Sequence, residues 1–135
     1  MKFEYTAPAP GALSGKPLVQ IALYSAGHEI CVSALVDSGA AISILPYDMG
    51  LQLGFVWEEQ TMPVRLGGML AGVPAVAVLV RGEVSALFPT ALAMAWVKET
   101  RHTIRPVLGQ LNFFRQYKVT FEGYDETFDI SSKPS

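Results

Sequence analysis

Cysteine occurs once in this chain of 135 residues, at Cys31, and histidine only twice, at His28 and His102. A lone thiol closes no internal disulfide, and one cysteine with two distant histidines does not supply the closely spaced ligands of a zinc site. Cys31 lies in Glu29-Ile30-Cys31-Val32, which reads as a strand interior, so a buried, inert thiol is expected. Charge is scarce as well. Charged residues make up 16% of the chain and the net charge is −2, with Lys and Arg scattered singly. No basic face is available for nucleic acid or an anionic membrane. Long apolar runs are also missing. The longest uncharged stretch, between Arg65 and Arg81, contains Gly67, Gly68, Gly72 and Pro74 and falls short of the ~20 residues that a spanning helix requires. The N-terminal Met1-Lys2-Phe3-Glu4-Tyr5 has an acid where a signal peptide needs an apolar segment, so a soluble, cytoplasmic protein is expected.

What is present is apolar residues, at 50% of the chain, together with many turn signals. That rules out a disordered chain and is enough for one core without disulfides or metal. The alternating patterns predict an all-β unit with one or two short helices. Residues 1–15, with Ala7-Pro8-Ala9-Pro10-Gly11, read as a flexible N-terminal arm, 16–130 as the folded domain, and 131–135 as a frayed tail. Within the domain, 17–24 and 29–36 form a hairpin around Ser25-Ala26-Gly27-His28, with His28 solvated at the turn. Pro46 opens a short helix over 47–53 that stops at Gly54. Residues 62–66 and 73–80 read as two strands joined by Gly67-Gly68-Met69-Leu70-Ala71-Gly72. Arg81-Gly82-Glu83 reads as a turn, and 84–88 and 92–97 as further strands. The stretch 98–105 reads as a surface loop that exposes His102. A strand at Pro106-Val107-Leu108-Gly109, a helical 110–116, and a closing hairpin of 117–122 with 127–130 complete the chain. Trp57 fits either the core or a cleft wall.

One stretch stands apart chemically: Ala34-Leu35-Val36-Asp37-Ser38-Gly39-Ala40-Ala41-Ile42-Ser43-Ile44-Leu45. A carboxylate between two apolar strands is costly unless N–H groups solvate it, and Gly39 lets the backbone approach closely enough to do so. Ser38 lacks the flanks of a hydrolase nucleophile elbow, and Gly67-Gly68 is followed by no phosphate-binding lysine. Asp37 is therefore either a structural cap or the seat of the chemistry. The glycine-rich segment is either an ordinary loop or a movable lid.

The ordered set Val36-Asp37-Ser38-Gly39-Ala40, Leu66-Gly67-Gly68-Met69-Leu70-Ala71-Gly72 and Val107-Leu108-Gly109, with Leu111-Asn112-Phe113-Phe114 and Tyr117-Lys118-Val119 beyond it, resembles the retropepsin-like aspartic proteases. These are the single-domain relatives of the retroviral proteases, and the resemblance covers roughly residues 18–130. It implies a small acid-protease barrel and a catalytic role for Asp37. Ser38, Gly39 and Ala40 would support the active-site turn. Gly67, Gly68, Met69, Leu70, Ala71 and Gly72 would form a flap over an extended peptide, and Val107, Leu108 and Gly109 would pack beneath the turn.

The chemistry needs two carboxylates, one ionised and one protonated. The chain has four aspartates, at 37, 48, 125 and 129, and only Asp37 sits in an Asp-Ser-Gly turn. A second copy must supply the other acid, so a symmetric homodimer is implied, with a peptide or protein substrate and no cofactor or metal. Two departures from the family pattern bear on substrate anchoring and dimer contacts. Gln110 stands where retroviral members have an arginine, and Ala41 where they have an acid. The competing readings are a catalytically inactive peptide-binding or dimerisation module of the same fold, and a small barrel for an apolar ligand. For a protease, Leu70 and Val73 would make the cleft apolar and favour hydrophobic side chains beside the scissile bond.

Overall fold

Strands β2 (Leu18–Ser25) and β3 (His28–Val36) form the first hairpin of the chain, seen here in a computed structural model that describes residues 1–100 and 104–133. Ala26 and Gly27 at its tip both have positive φ, 44° and 85°, the turn twist that matches two right-twisted strands. Pairing Ile21 with Val32 puts Val19, Ile21 and Leu23 on the same buried side as Val32, Ala34 and Val36. Cys31 falls on the opposite parity and is exposed, contrary to the expected buried thiol. Side chains alternate along a strand, so an inward Val32 forces its neighbour outward. His28 is exposed at the turn, as expected, whereas His102 lies outside the described residues.

The hairpin belongs to a closed barrel completed by β4 (Ser43–Leu45), β5 (Ala75–Glu83), β6 (Thr90–Val97) and β7 (Val107–Leu108), in the order β2-β3-β7-β4-β6-β5. Strand β7 is parallel to β3, with Leu35 opposite Val107, and antiparallel to β4, with Ile44 opposite Val107. It is thus wedged between the strand that enters the Asp37 turn and the strand that leaves it. Helix α1 (Tyr47–Gln52) follows Pro46 and ends before Gly54, whose φ of +84° breaks the helix. Gly50 within it has no room for a side chain: a Cβ would come within 2.1 Å of the Trp96 indole. Trp96 is fully buried, donates from Nε1 to the Tyr47 carbonyl at 2.9 Å, and packs against Tyr47, Phe55 and Trp57. Trp57 is therefore a half-buried flank of the core, with the Lys98 ammonium 5.4 Å from its ring.

Three expected elements are absent. Arg81-Gly82-Glu83 is not a turn, because β5 runs through it and pairs with both β2 and β6. Gly82 sits in the strand because core side chains cross it: a Cβ there would meet Leu92 Cδ1 at 2.6 Å and Ile21 Cδ1 at 3.1 Å. The strand expected over 84–88 is a turn with Phe88 at its exposed end. Nor do residues 62–66 form a strand. They join β5 through the single bridge of Pro63 with Val76, flanked by Val64 N–H to Ala75 O and Ala77 N–H to Met62 O.

Outside the barrel, β1 (Lys2–Glu4), β9 (Thr127–Ser132) and β8 (Tyr117–Glu122) form a second sheet in the order β1-β9-β8, preceded by α2 (Phe113–Gln116). Phe3 stacks on Phe128 at 5.3 Å, and Phe128 and Ile130 are buried against the barrel. The Tyr117 phenol donates to the Phe88 carbonyl, tying this sheet to the 84–89 turn. Burial, with Glu83 adding, raises the pKa of that phenol and keeps it a donor. Residues 2–6 therefore do not hang as a free arm. Residues 2–4 are sheet, and Thr6 N–H donates to Lys16 O at 2.9 Å while Lys16 N–H returns to Thr6 Oγ1 at 3.0 Å. At the other end, Ser131 and Ser132 belong to β9, and 134–135 lie outside the described residues. The architecture is all-β with two short helices, as expected. No helix among the described residues is long and apolar enough to cross a membrane.

Candidate active site

Asp37 is the first residue past β3, half-buried, and main-chain groups hold it from several sides. Its N–H donates to Leu108 O at 3.0 Å, and its carbonyl accepts from Ala40 N–H at 3.2 Å. Its carboxylate Oδ1 accepts the Gly39 N–H at 2.9 Å, which supplies the local solvation that an acid between apolar strands requires. On the other side of the turn, Gln110 N–H donates to Ala40 O at 2.8 Å and Leu111 N–H to Ala41 O at 3.0 Å. The Gln110 side chain reaches back, Nε2 donating to Ser38 O at 2.7 Å. Gln110 thus ties both arms of the turn.

Gly109 lies directly beneath. Its N–H donates to the buried Ser43 hydroxyl at 3.0 Å, and a Cβ on it would stand 2.7 Å from Ala40 O and 2.8 Å from Ile42 O. The glycine after Val107-Leu108 is there because only a bare backbone fits under the turn. Leu108 is fully buried in the main core, and Val107 packs on a smaller cluster built around Ile44, Leu66, Ala75, Ala95 and Val97.

Two members of that smaller cluster, Ile44 and Leu66, line a groove of about 370 Å³. Gly39, Ala40, Ala41 and Ile42 form one wall, and Arg65, Leu66, Gly67, Gly68 and Leu70 form the other. The Asp-Ser-Gly turn and the glycine-rich segment, distant in sequence, therefore face each other. The segment itself is a loop with one 3-10 turn, Gly68–Leu70, and positive φ at Gly68 and Gly72. Its predicted residues divide between two places. Gly67, Gly68 and Leu70 line the groove, and Met69 is fully exposed. Ala71, Gly72 and Val73 line a separate depression beside Lys98, so Leu70 belongs to the groove and Val73 does not. Ser38 is exposed.

Four participants were missed in the sequence. Ile42 and Ile44 look like any strand residues, and Arg65 looks like any surface cation. Ser43 carried a signal: a hydroxyl alone in an apolar strand must find a buried partner, and here it finds Gly109. Asp37 is the one carboxylate of this turn. Among the described residues, no three His, Cys, Asp or Glu side chains come together in a way that could hold a metal ion.

The chain is similar to the EIAV protease solved in complex with the inhibitor HBY-793, at a TM-score of 0.55 and 16% sequence identity, over 72% of this chain and 84% of that one. Neither a protein-family model nor a curated protein matches it. The chain thus folds like that retroviral protease.

Proposed function

We propose that the chain is an aspartic endopeptidase that works as a symmetric homodimer, each copy contributing Asp37. The observation that supports this reading is a carboxylate that accepts the Gly39 N–H, in a turn whose Gly39 and Ala40 line an apolar groove together with the glycine loop, within a retropepsin-like fold. One chain has half of the required chemistry. Two copies related by a two-fold axis would set two Asp37 carboxylates face to face, where mutual repulsion makes them hold one proton between them.

The ionised carboxylate takes a proton from water as the oxygen attacks the scissile carbonyl carbon. The protonated one gives its proton to the carbonyl oxygen, and a tetrahedral diol forms. Collapse of the diol breaks the C–N bond, the amine leaves with a proton, and the pair returns to its singly protonated state. Ser38, exposed in the single chain, would bond across the dimer. Gly39 and Ala40 would present backbone to the substrate, and Gly67 to Gly72 would close over a peptide bound as an extended strand. Val107, Leu108 and Gly109 support the turn without touching substrate. The apolar groove favours hydrophobic side chains beside the cut.

A peptide-library digest from acidic to neutral pH, with wild type beside Asp37→Asn, tests the reading. Wild type should cut with a bell-shaped pH profile, since the pair titrates as a unit. Asp37→Asn should lose at least about 1,000-fold, the order of a lost acid–base pair, while keeping its sedimentation as a dimer. Cleavage that survives in Asp37→Asn, or a wild type that stays monomeric while cutting, overturns the reading. An inert wild type that still binds peptides would leave a binding module instead.

A further inference from the structure

The groove beside the Asp37 turn has one feature that an apolar-peptide site does not require. Its lining is glycine, alanine, isoleucine and leucine, apart from Arg65. Arg65 is exposed, and it makes no ion pair among those of the described residues. The lining residues of the opposite wall, Gly39, Ala40, Ala41 and Ile42, are all uncharged, and Asp37 in the same turn does not line the groove. Backbone also fixes where Arg65 starts. Val64 is bonded to Ala75 on one side of it, and buried Leu66 anchors the other. An exposed guanidinium on an otherwise apolar groove is an open fork for a carboxylate.

We propose that Arg65 is a specificity residue that makes this groove select peptides with a Glu or Asp side chain next to an apolar one. This rests on the groove being the peptide site proposed above. The apolar side chain fills the space between Ile42, Leu66 and Leu70, and the neighbouring acid meets the guanidinium at the rim. Because the contact is part-solvated, its effect is modest and salt-dependent: about fivefold at low ionic strength, shrinking as salt screens it.

The test separates recognition from chemistry. Fluorescent peptides of one apolar core, flanked by Glu, Gln or Lys, are titrated into the Asp37→Asn protein, alone and combined with Arg65→Ala, Arg65→Lys or Arg65→Glu. The same peptides are offered to wild type for cleavage. Binding should follow Glu over Gln over Lys. Arg65→Ala should flatten the order, Arg65→Lys should keep most of it, and Arg65→Glu should reverse it. Equal binding of the three peptides, an order unchanged in Arg65→Ala, or no binding by any of them overturns the inference. If the binding order holds but wild type cuts nothing, the protease reading fails and the recognition stands.

Discussion

The two walls of the groove are built by opposite means. On the Asp37 side the chain is over-determined: Leu108 O, Ala40 N–H, Gln110 N–H, the Gln110 amide and the Ser43 hydroxyl all converge on residues 37–43 and the glycine below. On the glycine-loop side a single bridge and three turn bonds hold the chain, and nothing stands within 4 Å of the Cβ position of Gly67, Gly68 or Gly72. Main-chain bonds within a packed core resist local opening, whereas a loop with few buried contacts opens at low cost. Under the proposed peptidase reading, this contrast would give positioning to one wall and movement to the other.

The contrast breaks most sharply at Gly109. Gly109→Ala drives a methyl into two backbone carbonyls that cannot swing away, and overpacking of that kind should cost about 3 kcal/mol. Denaturant unfolding reads the loss, and a midpoint within error of wild type would show the support to be looser than its contacts indicate. Ser43→Ala comes next. It strands the Gly109 N–H in a buried site, for about 1–3 kcal/mol, and should lower activity further than the same loss of stability elsewhere in the barrel. The smallest effects belong to the loop, where two neighbouring glycines should differ in sign. Gly68→Ala forces a φ of +61° on a residue with a Cβ, for about 1 kcal/mol. Gly67 has an extended φ of −111° and open space around it, so Gly67→Ala should stabilise by ~0.5 kcal/mol through the unfolded chain. If both loop variants matched Gly109→Ala in cost, the two walls would not differ as described.

The same contrast explains what could be read from residues alone. Elements whose geometry comes from local pattern were legible: the β2–β3 hairpin, α1 between Pro46 and Gly54, and the closing β8–β9 hairpin. The Asp-Ser-Gly turn and its facing loop were legible through their order along the chain. The failures all lie where a distant partner decides. Gly82 punctuates a turn by composition, yet it is strand because Ile21 and Leu92 pack over it. Residues 2–4 sit before an Ala-Pro-rich stretch that reads as a free arm, yet they pair with β9 because Phe3 finds Phe128. Cys31 reads as inside because apolar residues surround it in sequence, yet the parity set by Val32, Ala34 and Val36 puts it outside. Arg65 gained meaning only when the fold set it opposite the Asp37 turn.

The bonds that clasp the turn are made by amides, carbonyls and one hydroxyl: Gln110 to Ser38 and Ala40, Asp37 N–H to Leu108, Gly109 N–H to Ser43. None of these groups gains or loses a proton in acid. The clasp on the turn therefore depends on no charged side chain, and the carboxylate itself enters it only through the Gly39 N–H.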